Sequence, residues 1–165
     1  MRVLVTYFAP FGTDQENASA LAVKLLPKSI SAAQVITVEL PVAFEGAEQT
    51  LKQALGDLSP DLVLCTGQAE GTAELHLERV AVNLRDARMP DNEGFAPEEM
   101  PICPEGPTAY FAAIPADEIP LGLGNFVRRL WAELWTALYA GLPHYRRLGV
   151  WSELVDFRDS VGCGA

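Results

Sequence analysis

The sequence has 165 residues, 49% of them apolar and 21% charged, which suits one globular domain with its own hydrophobic core. It contains no apolar run long enough to span a bilayer, and its formal net charge of -10 disfavours nucleic acid and anionic membranes, which bind cationic surfaces. The three cysteines and two histidines have no metal-binding spacing, so we expect no metal site and no cofactor.

Strand and helix patterns alternate in the first half of the chain. Residues 3–6 predict a buried strand, and the absence of a signal-peptide pattern before it predicts a cytoplasmic protein. A loop with Pro10 and Gly12 follows, and apolar residues at 21, 22, 25 and 26 then predict a helix that Pro27 ends. Further on, the sequence predicts a strand over 34–42, a helix within 44–58 that ends near Gly56, and a buried strand over 61–69.

This alternation favours an α/β fold with a mostly parallel or mixed sheet and helices on its faces. Loops that follow parallel strands meet at the carboxyl edge of a sheet, where α/β proteins usually bind ligands. The segments YFAPFG and TGQAEGT both follow predicted strands, and Glu78 comes soon after the second segment. We therefore expect these segments to lie close together.

The second half of the chain is less regular. Residues 77–86 favour another strand, and His76 would share a face with Glu78 if the strand begins earlier. Residues 101–115 form a proline-rich loop that could hold a short helix at 108–113. Residues 126–138 predict an amphipathic helix, and residues 148–157 fit either a strand or a short helix.

The composition changes near residue 117. Residues 1–120 carry 7 Lys and Arg against 18 Asp and Glu, whereas residues 121–165 carry 5 Arg, no Lys and 4 Asp and Glu. All three tryptophans, Trp131, Trp135 and Trp151, also lie in this last part. We expect one domain over 1–165 in which residues 117–165 are divergent.

Five segments in order carry a resemblance to a known family: VLVTYFAPFG, ELPVAFEGA, LCTGQAEG, LERVAVNLRDARMPDNEG and PICPEGPTAYFAAIP. Over residues 1–116 the chain closely resembles the pyroglutamyl peptidase I family, also called pyrrolidone carboxyl peptidase. The resemblance implies a three-layer α/β/α sandwich and a cysteine peptidase that removes an N-terminal pyroglutamyl residue from peptides. It also implies pyroglutamyl peptides as partners. Because family members are often tetramers, it suggests a homo-oligomer as well.

The resemblance assigns four residues to substrate binding. Phe8 and Phe11 would sandwich the flat lactam ring, and Gln68 would hydrogen-bond it. Met89 would touch the ring. Each residue also has a purely structural alternative. Phe8 and Phe11 could be loop aromatics that cover the sheet edge, Gln68 could be a loop-capping amide, and Met89 could be a core residue.

Two further residues would serve the reaction. Glu78 matches the acidic triad member, which accepts the imidazole N–H of the catalytic histidine and stabilises the imidazolium. Arg88 would support the oxyanion or the loop, although an ion pair with Asp86 or Asp91 is an equal alternative.

The chain departs from the family where the other two triad members belong. The region around 135–145 has no cysteine, and no histidine follows His144. Cys163 lies among small residues at the chain end, and Cys65 and Cys103 fit inert thiols better than nucleophiles. Tyr7 replaces a glycine and could crowd the pocket, and Val42 stands where some members have threonine.

Two functions follow from this pattern. The first is a pyroglutamyl peptidase I-like cysteine peptidase. The alternative is an inactive homologue that lacks the Cys and His of the triad and acts as a lactam-binding or assembly protein. The divergent tail has two explanations, a frameshift or truncation that gives a foreign C-terminal part, or a homologue that lost its nucleophile.

Overall fold

The computed structural model describes residues 1–69, 76–78, 80–111 and 149–155. The predicted helix at 126–138 lies outside the described residues, as do His144 and Cys163. The described elements are two helices, α1 and α2, and eight strands. Their bounds are β1 Arg2–Phe8, α1 Ala18–Val23, β2 Ser29–Ile30, β3 Ala33–Leu40, α2 Phe44–Leu58, β4 Leu62–Ala69, β5 His76–Glu78, β6 Val80–Val82, β7 Ala109–Phe111 and β8 Gly149–Val155.

Six of the strands form one mixed sheet in the order β2-β3-β1-β4-β8-β5. The central strands β3, β1 and β4 are parallel, β8 is antiparallel to β4, and β5 is parallel to β8. The predicted α/β class with a mixed sheet is confirmed. Residues 148–157, which fitted either a strand or a helix, contain the strand β8.

The core lies around the centre of this sheet. Four successive residues of β1, Val3 to Thr6, are buried. Because successive side chains point to opposite faces, this run means that both faces of β1 are covered, as in the middle layer of a three-layer sandwich. Helix α1 packs on the face that carries Val3 and Val5, and Ala18, Ala22 and Val23 of this helix join them in the core.

Helix α1 is shorter than its apolar pattern predicted. Asn17 caps its first turn by accepting a hydrogen bond from the Ser19 N–H at 3.0 Å. The helix ends at Val23, and Leu25 is 56% exposed, whereas Leu26 packs against the core. The helix therefore ends before Pro27, and this proline does not set its end.

The strand predicted over 77–86 is divided between two sheets. Strand β5 pairs with β8 in the large sheet, whereas β6 pairs antiparallel with β7 in a separate two-stranded sheet. The short helix suggested at 108–113 is wrong for residues 109–111, which form β7. Pairing with β6 overrides the local helix preference there, and the Asn83 N–H extends the pairing by donating to the Thr108 carbonyl at 2.8 Å.

Among the described residues, no helix has both the length and the apolar character needed to cross a membrane.

Candidate active site

A cavity opens at the carboxyl ends of β1 and β4. Its volume is about 740 Å³, which is within the usual range for small-ligand sites. It brings together three residues that the sequence assigned to substrate binding: Phe8 at the end of β1, Phe11 from the loop after β1, and Gln68 near the end of β4. The other lining residues are Gly12, Thr13, Asp14, Asn17, Val42 and Gly67.

The loop that carries Phe11 turns sharply above the sheet. The Asp14 N–H donates to the Phe11 carbonyl at 3.0 Å and closes the turn. Gly12 adopts φ +58°, a left-handed conformation that favours glycine because it has no Cβ. The Phe11 ring is thus carried on a turn whose next position, Gly12, has a conformation that favours glycine.

Two buried polar residues fix this loop to the start of α1. The Ser19 hydroxyl accepts a hydrogen bond from the Phe8 N–H at 3.1 Å and donates to the Asn17 side-chain oxygen at 2.6 Å. The Asn17 amide donates in turn to the Ala9 carbonyl at 3.2 Å. Because Asn17 and Ser19 are 6% and 0% exposed, these bonds hold Phe8 and Ala9 from inside the protein.

Gln68 has a fixed orientation. Its side-chain oxygen accepts a hydrogen bond from the Ala18 N–H, the first residue of α1, at 2.7 Å. Since only the oxygen of the amide can accept, this contact assigns which end of the group is Oε1. The Nε2 hydrogens take no part in this bond, and Gln68 lines the cavity.

Tyr7 and Val42 lie at the two positions where the sequence differs from the family. Tyr7 packs against the core beside α1, and the Lys24 ammonium lies 5.4 Å from the centre of its ring. It is absent from the cavity lining, because alternation along β1 turns it away from Phe8. Val42 does line the cavity.

The segment Asp91–Gly94 lies against the aromatic loop. The Asn92 side chain accepts from the Gly12 N–H at 2.9 Å and donates to the Pro10 carbonyl at 3.0 Å. The Asn92 N–H also donates to the Val42 carbonyl at 2.9 Å. One asparagine therefore contacts two of the segments that line the cavity.

Asp91 organises its own turn and the start of α2. Its carboxylate accepts hydrogen bonds from the Phe44 N–H at 2.8 Å, the Phe95 N–H at 2.9 Å and the Glu93 N–H at 3.0 Å. These donors, the Phe44 N–H foremost, lower the pKa of Asp91 below its ordinary value. Ala43, the residue before α2, makes no side-chain cap, so Asp91 supplies the capping acceptor from a distant part of the sequence.

Arg88 and Met89 lie away from the cavity. Met89 is 57% exposed and does not line it. Arg88 is exposed, and among the described residues it forms no salt bridge with Asp86 or Asp91. The arginine of this segment that does pair is Arg85, whose guanidinium contacts the Glu48 carboxylate of α2.

Glu78 is half-buried at the end of β5, and it does not line the cavity either. The sheet register aligns it with Glu153 of β8, and Glu153 with Cys65 of β4. Two strand spacings of about 4.8 Å place the Cα atoms of Cys65 and Glu78 about 10 Å apart. This separation leaves the Cys65 side chain beyond direct hydrogen-bond reach of Glu78.

The remaining described cysteine, Cys103, is disulfide-bonded, so the expectation that it is a free, inert thiol is wrong. In the part of the chain that the structure describes, no group of three or more His, Cys, Asp or Glu side chains could hold a metal ion. The described residues thus form a binding cavity and place Glu78 on a strand of the same sheet.

Comparison with known proteins decides the family. Residues 1–125 match the family described as pyroglutamyl peptidase. The chain belongs to this family. It is 46% identical over 119 residues to the pyrrolidone-carboxylate peptidase of Thermococcus onnurineus, a match that covers 72% of this chain and 60% of the relative. It is 47% identical over 119 residues to that of Thermococcus kodakarensis, with 72% and 58% covered.

Solved structures agree in fold. A mutant pyrrolidone carboxyl peptidase from Pyrococcus furiosus matches with a TM-score of 0.67 and 30% identity, over 92% of this chain and 80% of that one. Pyroglutamyl peptidase I from Bacillus amyloliquefaciens matches with a TM-score of 0.67 and 28% identity over the same shares. The chain spans about 60% of the length of these two curated pyrrolidone-carboxylate peptidases.

Sequence reasoning did not assign a role to Asn17, Ser19, Asp91 or Asn92. The Asn17-Ala18-Ser19 run is typical of a helix start, and this is the signal that could have found its capping network. The Asp-Asn-Glu-Gly run is typical of a turn, but nothing local in it indicates which loop or helix it contacts.

Proposed function

We propose that this chain is a pyroglutamyl peptidase, which binds an N-terminal pyroglutamyl residue in the cavity between Phe8, Phe11 and Gln68 and hydrolyses the bond that follows it. The observation that carries the proposal is the cavity itself. It combines two aromatic side chains with one oriented amide donor, at the carboxyl ends of two parallel strands.

These groups suit the chemistry of the lactam. A pyroglutamyl ring is flat and neutral, so its faces favour aromatic contacts and its carbonyl needs a hydrogen-bond donor. The Gln68 Nε2 supplies that donor, because Oε1 is engaged by the Ala18 N–H. A free glutamate or glutamine N-terminus is not cyclised and carries an ammonium group instead, so it lacks the flat, neutral ring that these groups suit.

We place Glu78 in the hydrolysis step. In the proposed mechanism a histidine takes the proton of a cysteine thiol, and the thiolate attacks the carbonyl of the peptide bond that follows the pyroglutamyl residue. The histidine then passes the proton to the departing peptide amine, and water cleaves the thioester to release pyroglutamate. Glu78 would accept the second N–H of that histidine and fix its tautomer.

The reaction would need no cofactor. We also propose that the protein acts in the cytoplasm, as a homo-oligomer, on pyroglutamyl peptides. Its net charge of -10 argues against nucleic acid and anionic membrane as partners.

Release of a chromophore from a pyroglutamyl amide tests the proposal. We expect turnover that an alkylating thiol reagent abolishes and that a Phe11→Ala variant reduces. Tyr7→Phe is the matched control, since Tyr7 neighbours Phe8 but packs beside α1.

Three outcomes separate the alternatives. Saturable binding of a pyroglutamyl peptide without turnover would favour the lactam-binding protein over the peptidase. Turnover that survives replacement of Cys65, Cys103 and Cys163 together would exclude a cysteine mechanism. Absence of both binding and turnover would overturn the proposed function.

A further inference from the structure

The turn at residues 91–94 is a feature that the proposed reaction does not use. It follows no strand of the large sheet, and Met89, just before it, is exposed. Yet Asn92 makes two side-chain hydrogen bonds and one backbone hydrogen bond to segments that line the cavity. The turn therefore contacts both the aromatic loop and the Val42 segment of the pocket.

We propose that Asn92 is a positioning residue that holds the aromatic loop in its pocket-forming conformation and thereby sets the affinity for the pyroglutamyl ring. This inference rests on the proposed function for its ligand. Its structural part, the clamping of the loop, stands on the contacts of Asn92 alone.

The geometry of the clamp is bidentate. The Asn92 oxygen accepts from the Gly12 N–H, and its amide nitrogen donates to the Pro10 carbonyl. These two backbone groups flank Phe11 on either side, so both ends of the Phe11 peptide unit are tied to one side chain. An asparagine is suited to this task, because its amide is a donor and an acceptor in one plane.

The third bond extends the clamp to the other wall. The Asn92 N–H donates to the Val42 carbonyl at 2.9 Å, and Val42 lines the cavity beside the aromatic loop. Asp91 anchors the turn itself, since its carboxylate holds the Phe44 N–H at the start of α2. The spacing between the Phe11 loop and the Val42 segment thus depends on a turn more than 80 residues further along the chain than the loop.

The loop needs such a tie because its own bonds are few. Residues 12–16 are exposed, and the turn at Phe11–Asp14 is closed by one backbone hydrogen bond. In the part of the chain that the structure describes, the bonds of the buried network to this loop are those to Phe8 and Ala9. Between Pro10 and Gly12, the described hydrogen bonds that fix the loop to another part of the protein come from Asn92.

The chain offers a matched control in Asn83. Its side chain makes the same pair of bonds to one residue of a different loop, accepting from the Cys103 N–H at 2.8 Å and donating to the Cys103 carbonyl at 2.7 Å. Asn83 does not line the cavity. Asn92→Ala and Asn83→Ala therefore remove equivalent bonds at and away from the pocket.

Amide hydrogen exchange of Gly12 and affinity for a pyroglutamyl peptide, both measured on the full chain, test the proposal. We expect Asn92→Ala to speed Gly12 exchange roughly tenfold, corresponding to the lost bond to the Gly12 N–H, and to weaken binding by about tenfold or more, since both side-chain bonds are lost. Asn83→Ala should change neither. Asn92→Asp keeps an acceptor for Gly12 but loses the donor to Pro10, so it should retain Gly12 protection and give intermediate affinity.

Two results would overturn the proposal. One is wild-type Gly12 exchange in Asn92→Ala, which would mean that no clamp exists. The other is faster Gly12 exchange with unchanged affinity, which would mean that the clamp does not set the pocket. If the wild-type chain binds no pyroglutamyl peptide, the proposed function and the role of Asn92 in affinity both fail, while Gly12 exchange still decides whether the clamp exists.

Discussion

Strands β1 and β5, which carry Phe8 and Glu78, are held in very different ways. Strand β1, which leads to Phe8 and Phe11, lies in the middle of the sheet between β3 and β4 and is buried on both faces. Strand β5, which carries Glu78, has three residues and is the outermost strand of the described sheet. The residues proposed to bind the substrate are thus supported by the hydrophobic core, whereas Glu78, the proposed acid of the triad, lies on an edge strand of the described sheet.

This contrast has a physical consequence. Central strands open only with global unfolding, whereas short edge strands open at lower free energy. The cavity should therefore keep its shape under conditions in which Glu78 moves, and substitutions in the two regions should affect different steps.

Of the substitutions that distinguish the two regions, replacement of Glu78 should have the largest effect. In an active peptidase, Glu78→Ala should lower kcat by roughly a thousandfold, because a triad without its acid leaves the histidine tautomer unfixed. KM should change little, since Glu78 does not line the cavity. Steady-state kinetics with a pyroglutamyl amide measure both constants, and an equal rise in KM would contradict the separation of binding from reaction.

A core substitution probes the support of the binding half. Leu4 of β1 is fully buried, so Leu4→Ala should cost about 2–5 kcal/mol of unfolding free energy through lost burial and a cavity. Val82→Ala is the control, because Val82 is 53% exposed and its loss should cost about 0.5 kcal/mol or less. Urea denaturation measures both changes. Equal losses would show that the core around β1 does not dominate stability.

Gln68→Glu tests whether the Gln68 amide binds the lactam carbonyl in the pocket. The carboxylate retains an acceptor for the Ala18 N–H but replaces the Nε2 donor, so the lactam carbonyl loses its partner. We expect affinity for a pyroglutamyl peptide to fall by about tenfold to a hundredfold at neutral pH. Calorimetric titration would measure this loss, and unchanged affinity would remove Gln68 from lactam recognition.

The smallest expected effect concerns Asp91 and pH. Its pKa is lowered from 3.8 in the folded protein, so the unfolded chain binds this proton more readily than the folded chain does. The stabilisation by the carboxylate is therefore complete above the ordinary pKa and is lost as pH falls through the lowered folded value.

Thermal unfolding of wild type and Asp91→Asn between pH 6 and about pH 2.5 tests this sign. The wild type should be the more stable protein at the upper end, and the two melting temperatures should converge as the pH falls. Asp86→Asn, on the same segment, is the control. Curves that stay parallel over the whole range would contradict a role for the Asp91 charge.

Much of the fold could be predicted from the sequence because it depends on local patterns. The apolar runs at β1, β3 and β4 and the periodicity of α2 lie within single segments. The direction of Tyr7 was also available from strand alternation, which turns it away from Phe8. The family motifs then indicated Phe8, Phe11 and Gln68, which do line one cavity.

The rest depends on partners far away in sequence. Helix α2 begins at Phe44 without a local side-chain cap, and its acceptor is Asp91, 47 residues later. The division of one predicted strand into β5 and β6 depends on pairing with β8 and β7. The orientation of Gln68 depends on the Ala18 N–H, 50 residues earlier. No periodicity or local motif encodes these contacts.

The central claim is that the cavity recognises a lactam, and competition between two peptides tests it most directly. One peptide begins with pyroglutamate, and the other has the same sequence but begins with proline, which has the ring without its carbonyl and with a charged amine. Binding to the full chain would be followed by the amide resonances of Phe8, Phe11 and Gln68. The account predicts saturable binding of the pyroglutamyl peptide at these three residues and at least tenfold weaker binding of the proline peptide, corresponding to about 1.4 kcal/mol or more. Equal affinity for both peptides, or resonance changes confined to other residues, would contradict it.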